Sequence, residues 1–354
     1  MELALGTEPT ATYLSYELAL GARKLVEDVM LTERGESMVI TGDTGSDWRV
    51  VEATAQAAYA AGAHPVVVRY EGGAGSVVEP PPPVAGALSR ADVWIEFAVG
   101  YALYTDAFHG AMEAGCRYIC LTGMDVDMMV RTISRVDYPG MIELSKVLGR
   151  LVGSAQEMRI TSEQGTDLTG QMDGRKIRYS GKLADTPGEP VMLGGQISWC
   201  PLEETINGTL VFDGAIWPPA DIGPLRAPVT LTLEDGVVTD IQGGAEAGIY
   251  RRWFASFNNP DIYRLAHYSL GFNPGVTRIT GRIVEDERVF GSMCFGIGTQ
   301  GAHLGGKAWD AGGHSDGIVL FPSIYLDGEV LEEDGRYVHP EVVEVCRRIG
   351  APGH

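Results

Sequence analysis

The chain is predicted to be an α/β protein in two parts: a parallel-sheet βαβ domain over residues 1–155, then an α+β domain over 156–354 with a mainly antiparallel sheet. Three observations predict this. At 354 residues the chain exceeds what one hydrophobic core usually serves. In its first part, short apolar runs alternate with helix-length segments, the rhythm of right-handed βαβ units. Further on, strand-like runs follow one another, and Glu234-Asp235-Gly236 separates two of them as a hairpin turn would.

Leu14, Leu18, Leu25 and Val29 fall near one face of a helix from about Tyr13 to Leu31, and Met38-Val39-Ile40 then reads as a short buried strand. An alanine-rich helix from Asp47 to Ala61 stops at Gly62. Strands follow at His64–Tyr70, Val93–Phe97 and Arg117–Leu121. Between them, Glu79-Pro80-Pro81-Pro82-Pro83 suits neither a helix nor a central strand and reads as a surface polyproline turn. A helix from about Gly140 to Gln156 closes the first domain. In the second, Val229–Leu233 and Val237–Ile241 form the predicted hairpin, Thr209–Phe212 and Gly317–Phe321 add strands, and Glu246–Asn258 and Pro260–Leu270 read as helices.

Apolar residues make up 45% of the chain and charged residues 21%, as in an ordinary globular protein. The 47 acidic residues outnumber the 27 basic ones, for a formal charge of -20. Such a surface repels phosphate backbones and anionic lipid, which argues against nucleic-acid and membrane partners; the small-molecule substrate expected here follows from the site residues below. The five cysteines, Cys116, Cys120, Cys200, Cys294 and Cys346, show no zinc-type or disulfide-scaffold spacing, as expected in a reducing cytoplasm. Residues 1–10 lack a basic region followed by an apolar core, and no run approaches the roughly 18 apolar residues of a membrane span, so the expected location is cytoplasmic.

Chemistry concentrates in Gly312-Gly313-His314-Ser315-Asp316-Gly317, just before an apolar strand. Residues two apart on a strand share a face, so His314 and Asp316 can reach one metal ion together. With His267 as third ligand they would form the two-histidine, one-carboxylate face that suits non-haem Fe(II), although the same donors accept Zn(II) or Mn(II). The plain alternatives are a hydrogen-bonded His-x-Asp pair and a core histidine inside an amphipathic helix. The metal reading is favoured by the glycines around His314 and by Gly271-Phe272-Asn273-Pro274-Gly275, which places His267 at the end of its helix. His303 lies near this site in sequence as a further ligand or proton shuttle. His109 follows the third strand, where ligands commonly meet a parallel sheet. Gly42-Asp43-Thr44-Gly45-Ser46 lacks the lysine of a phosphate loop and the third glycine of a dinucleotide fingerprint, and reads as a helix cap.

From Glu163 onward a set of motifs occurs together: Gly165-Thr166-Asp167-Leu168-Thr169, Glu203 through Asp213, Gly243-Gly244-Ala245-Glu246-Ala247, His267 through Pro274, and Leu304-Gly305-Gly306-Lys307 through His314-Ser315-Asp316. In this order they resemble the aminopeptidase T superfamily, and more closely its branch of iron-dependent 2,5-dihydroxypyridine 5,6-dioxygenases. The resemblance implies that His267, His314 and Asp316 bind one Fe(II). His267 stands where the peptidases carry a bridging glutamate, and Cys294 where they carry a metal-binding histidine. Glu246 matches a peptidase metal ligand and would here orient His267 or His314 from outside. The chain departs from the dioxygenases at Tyr104 and at Val191-Met192-Leu193, where they carry pocket histidines. Tyr104 would instead hydrogen-bond a substrate hydroxyl, and His109 would supply an acid or base. The implied activity is extradiol-like cleavage of a hydroxylated pyridine or related small aromatic by a homo-oligomer. The alternative is a metal-dependent aminopeptidase or amidase that activates water, with Glu246 as ligand or base.

Overall fold

Four of the apolar runs become the strands Ser37–Asp43, His64–Tyr70, Val93–Glu96 and Arg117–Cys120 of one parallel sheet. The computed structural model describes residues 12–73, 77–172, 174–302 and 305–353, which fall into two compact units. The first takes the chain through Tyr138 together with Lys182–Leu193, and the second takes Pro139–Gly181 with the chain from Gly194 onward. In the parallel sheet Ile40 lies between Val67 and Ile95, and Val93–Glu96 and Arg117–Cys120 are buried at every position, as expected of strands covered on both faces. The expected first helix is an α-helix over Ser15–Lys24 continued by a π-helical turn over Leu25–Val29. Asp47 caps the helix Trp48–Ala60 by accepting the Arg49 N–H.

Two features of this unit depart from the sequence expectation. Pro82 and Pro83 open a helix, Pro82–Leu88, so the polyproline turn is confined to the residues before it. Proline is well suited to a first helical turn, where its missing N–H needs no partner. A fifth strand, Pro190–Met192, joins the sheet beside Arg117–Cys120, with Val191 opposite Ile119. Three residues beginning with proline carry too little pattern to be read as a strand.

The second unit takes the helix Tyr138–Ser154 from Pro139 onward and holds two antiparallel sheets, one of eight strands and one of seven. The predicted hairpin is present as Val229–Glu234 and Val237–Gly243, with positive φ at both Asp235 (48°) and Gly236 (77°), the signature of a type I′ turn. The sheets pack face to face. On the seven-stranded sheet, Tyr268 meets Phe295 edge-on at 4.9 Å, and Phe212 of the other sheet lies 6.4 Å from Phe295. Gly317 makes room for that ring: a Cβ there would lie 2.3 Å from Phe212. The expected helix over Pro260–Leu270 is replaced by a short 3₁₀ turn, Pro260–Tyr263, and a strand, Leu265–Gly271, held between Gln196–Trp199 and Ser292–Gln300. The run fits both periods, and pairing on both sides decides for the strand. Among the described residues, no helix is long and apolar enough to cross a membrane.

Buried carboxylates brace the carboxyl ends of the parallel strands. Asp43 accepts the Val99 and Gly100 N–H groups at 2.9 and 3.0 Å. Glu96 accepts the Ala102 N–H at 2.9 Å and the Tyr118 hydroxyl. Burial, reinforced by the charge of Asp43, pushes the Glu96 carboxyl up to about 7 against those hydrogen bonds. Between the ordinary carboxylate range and about 7 the folded state therefore holds a proton that the unfolded chain has lost. Stability from this group is complete below that window and declines as pH rises through it. Glu96→Gln is expected to be more stable than wild type by about 1–3 kcal/mol at pH 8 and equal to it near pH 4, by urea denaturation. A difference independent of pH would contradict this account.

Candidate metal centre

Three adjacent strands of the seven-stranded sheet build the site: Leu265–Gly271, Ser292–Gln300 and Trp309–Leu320. The register sets Gly296, on the middle strand, opposite both His267 and Asp316, and sets Gly298 opposite His314. Strand alternation puts His314 and Asp316 on one face, as their spacing predicts, and His267 joins them from across Gly296. His267 Nε2 lies 3.2 Å from His314 Nε2, and each of these nitrogens lies 3.4 Å from Asp316 Oδ1. Ligands bonded to one ion at about 2.0–2.1 Å stand about 3.0 Å apart at right angles and about 3.4 Å apart at tetrahedral angles. The triangle therefore fits a single metal ion, and it is the one such group of His, Cys, Asp and Glu side chains among the described residues.

The middle strand makes this convergence feasible because it carries no side chain at the crossing point. A Cβ on Gly296 would lie 2.3 Å from His267 Nε2 and 2.6 Å from His314 Cε1, inside the space the imidazoles occupy. The far side of each ring is tied down. His314 Nδ1 lies 2.9 Å from the Thr299 carbonyl oxygen, so it carries the proton and leaves the Nε2 lone pair facing the triangle. His267 Nδ1 is 3.3 Å from the Ser269 hydroxyl. Thr299 and Ser269 thus stand at the far side of the two rings. Glu246 stands in the first turn of the helix Ala245–Ala255, outside the three-residue group.

Burial and mutual charge set the protonation states. Burial alone would raise the Asp316 carboxyl, but the neighbouring His314 and His267 hold it well below the usual carboxylate range. Burial lowers the proton affinity of His267 against the pull of Asp316. At His314 the same burial is overcome by Asp316 and by the Thr299 carbonyl, and its pKa is raised. The Cys294 thiol donates to Asp316 Oδ1 at 3.5 Å, and burial together with the Asp316 charge pushes it well above the ordinary thiol range. Cys294 lies outside the three-residue group. Glu287 is pushed up to about 7 by burial and by Asp316, and accepts the Gln196 side-chain amide at 2.9 Å.

Of the other predicted residues, Tyr104 and His109 belong to the first unit. Tyr104 is 52% exposed with φ 73°, and His109 lies exposed on the helix Asp106–Glu113, edge-on to Phe108 at 5.2 Å. His303 lies outside the described residues. Sequence reasoning missed Gly296, Thr299, Ser269 and Glu287. The glycine pair Gly296 and Gly298, two apart in an apolar run, was the one signal pointing to a strand with a vacant face.

Fold and site together define a class: a protein with a parallel α/β unit and a paired-sheet unit in which three adjacent inner strands gather two imidazoles and a carboxylate that could hold one metal ion. Residues 26–339 match the family described as NicX: 2,5-dihydroxypyridine 5,6-dioxygenase, and the chain belongs to that family. It is 29% identical over 202 residues to the 2,5-dihydroxypyridine 5,6-dioxygenase of Pseudomonas putida, a match covering 54% of this chain and 57% of that protein. The chain thus spans little more than half the length of this curated relative in the match. Its fold is shared with the structure of 2,5-dihydroxypyridine dioxygenase from Pseudomonas putida KT2440, at a TM-score of 0.75 and 20% identity over 95% of this chain and 99% of that one. It is shared also with wild-type AmpT from Thermus thermophilus, at a TM-score of 0.65 and 14% identity over 92% and 100%. The dioxygenase branch read from the motifs is borne out, and the likeness to the aminopeptidase holds at the level of the fold.

Gly296→Ala is expected to reduce bound metal at least tenfold while leaving the far-ultraviolet circular dichroism unchanged, and Ser269→Ala to weaken binding by about tenfold. Elemental analysis after dialysis against Fe(II) or Zn(II) measures both. Full metal occupancy in Gly296→Ala would refute the steric account.

Proposed function

We propose that the chain is a ring-cleaving dioxygenase acting on a hydroxylated pyridine or a related small aromatic, with Fe(II) held by His267, His314 and Asp316. The observation that carries this reading is the triangle of Nε2, Nε2 and Oδ1 atoms, 3.2 to 3.4 Å on an edge, with Nδ1 of His314 tied to a carbonyl and Nδ1 of His267 beside a hydroxyl. Three protein donors on one side leave the opposite side for substrate. Iron(II), when bound, supplies the one-electron chemistry that ring cleavage with dioxygen requires, and open positions for a chelating substrate.

The chain's own groups have defined tasks in this scheme. Asp316 is the single anion among the three donors, so the loaded site keeps a net positive charge that favours an ionised ring hydroxyl. Thr299 and Ser269 hold the imidazoles in place. Glu287 accepts the Gln196 side-chain amide beside the site. Hydrogen bonding to the substrate by Tyr104 and acid–base work by His109 rest on the family resemblance. Tyr104→Phe and His109→Ala would lower kcat if the assignments hold. A homo-oligomer in the cytoplasm accords with this reading, and all five cysteines are free and buried.

Anaerobic loading with Fe(II), followed by 2,5-dihydroxypyridine and air, is expected to consume dioxygen in step with loss of the ring absorbance. A chelator or Asp316→Ala should abolish the uptake, with kcat falling at least a thousandfold. Turnover of small peptides or amides by the Zn(II) or Mn(II) form at an unchanged rate without oxygen would sink the dioxygenase reading in favour of a hydrolase.

A further inference from the structure

Two of the strands that build the metal centre lose their simple register just beyond it. Gly298 pairs with His314 and Gln300 with Trp309, so residues 310–313 stand opposite Thr299 alone, a long bulge in the ladder. Thr299 is pinned there at two atoms. Its hydroxyl accepts the Ala311 N–H at 3.0 Å, and its carbonyl oxygen lies 2.9 Å from His314 Nδ1. That carbonyl belongs to the peptide plane whose other end is the Gln300 N–H, so whatever fixes Gln300 also fixes the acceptor that faces the His314 ring.

A buried polar cluster does the fixing. The Gln300 side-chain amide donates to the Lys307 carbonyl at 2.8 Å and lies 3.2 Å from the Cys200 sulfur. Glu203 takes the other end of the same residue: Oε1 accepts the Lys307 N–H at 2.6 Å, and Oε2 pairs with Arg175 at 2.6 Å. Arg175 in turn donates to the Gly305 carbonyl at 2.9 Å. Gln300, Cys200 and Glu203 are all buried. Gly306 lies against all three, since a Cβ on it would stand 2.4 Å from Gln300 Nε2, 2.6 Å from Glu203 Oε1 and 2.8 Å from Cys200 Sγ. The backbone of residues 305–307 is therefore held at both ends, by Arg175 at Gly305 and by Gln300 and Glu203 at Lys307. Exchanging a buried ion pair for apolar groups of similar volume is often neutral for stability, so the worth of this cluster lies in the geometry it fixes.

We propose that Gln300 is a positioning residue for the metal centre: anchored on Lys307, and through it on Glu203 and Arg175, it keeps the Thr299 carbonyl on His314 Nδ1 and so keeps the Nε2 lone pair facing the other two donors. The proposal rests on the metal centre assigned above and concerns one of its two rings. His267 is braced separately, beside Ser269. An ion bound through both Nε2 atoms leaves a proton on each Nδ1, so the loaded protein carries one ring N–H for each brace.

The test uses the full chain with its histidines isotope-labelled at nitrogen and loaded with Zn(II). Nuclear magnetic resonance follows the exchange of the two ring N–H protons with solvent, and a chromophoric chelator follows release of the metal. Gln300→Met keeps the length of the side chain without its hydrogen bonds. It is expected to speed both exchange at His314 and release of Zn(II) by about tenfold, with exchange at His267 unchanged. Glu203→Gln keeps an acceptor for the Lys307 N–H but loses the charge-assisted bond to Arg175, and should give the same pattern at about threefold. That variant decides the matter if Gln300→Met does not fold. Wild-type exchange and release in the variants would overturn the assignment. So would an equal change at both rings, the mark of a sheet loosened as a whole. Failure of the wild-type chain to take up Zn(II) or Fe(II) would overturn the metal centre and this assignment with it, and wild-type metal content tells that failure from the others.

Discussion

The site depends on a side chain that is absent. Three neighbouring strands bring two imidazoles and a carboxylate towards one point, and the middle strand crosses that point at Gly296. Any larger residue there would put its first carbon 2.3 Å from one ligand nitrogen. Backbone pairing supplies the approach of the strands, and the glycine leaves the room their side chains need. The opposite face of the same sheet works by the same rule, because Gly317 yields its space to Phe212 of the second sheet. A single sheet thus packs a core with one face and shapes a ligand site with the other, using glycine at each crowded crossing.

Electrostatics then determine what the pocket of donors can hold. Burial works against every charge at the site, yet Asp316 stays ionised because two imidazoles face it, and the thiol of Cys294 stays neutral because the same carboxylate repels a thiolate. A metal ion bound there displaces any proton from both Nε2 atoms, so the donor set it would meet is two neutral nitrogens and one anionic oxygen.

How much of this was legible in the sequence differs from residue to residue. His314 and Asp316 were readable because two-residue spacing on a strand is a local property. The type I′ hairpin was readable because Asp235-Gly236 carries its own backbone preference into the turn. The segment around His267 was misread as helix because Leu265–Gly271 is short and apolar enough for either period. Its partners lie some 70 residues before it and 25 after it. Thr299 was invisible as a functional residue, since it acts through a backbone carbonyl that any side chain would also present.

Local chemistry along the chain therefore determined the alternation of strands and helices, the one hairpin turn, the acidic surface and the two ligands that share a strand. Tertiary structure decided that His267 lies on a strand and that Gly296 rather than another residue sits at the crossing. The reason is physical. Spacing and turn preference are set by neighbours in sequence, whereas register between strands is set by hydrogen bonds to distant segments, and a shift of one residue would have turned each of these side chains to the opposite face.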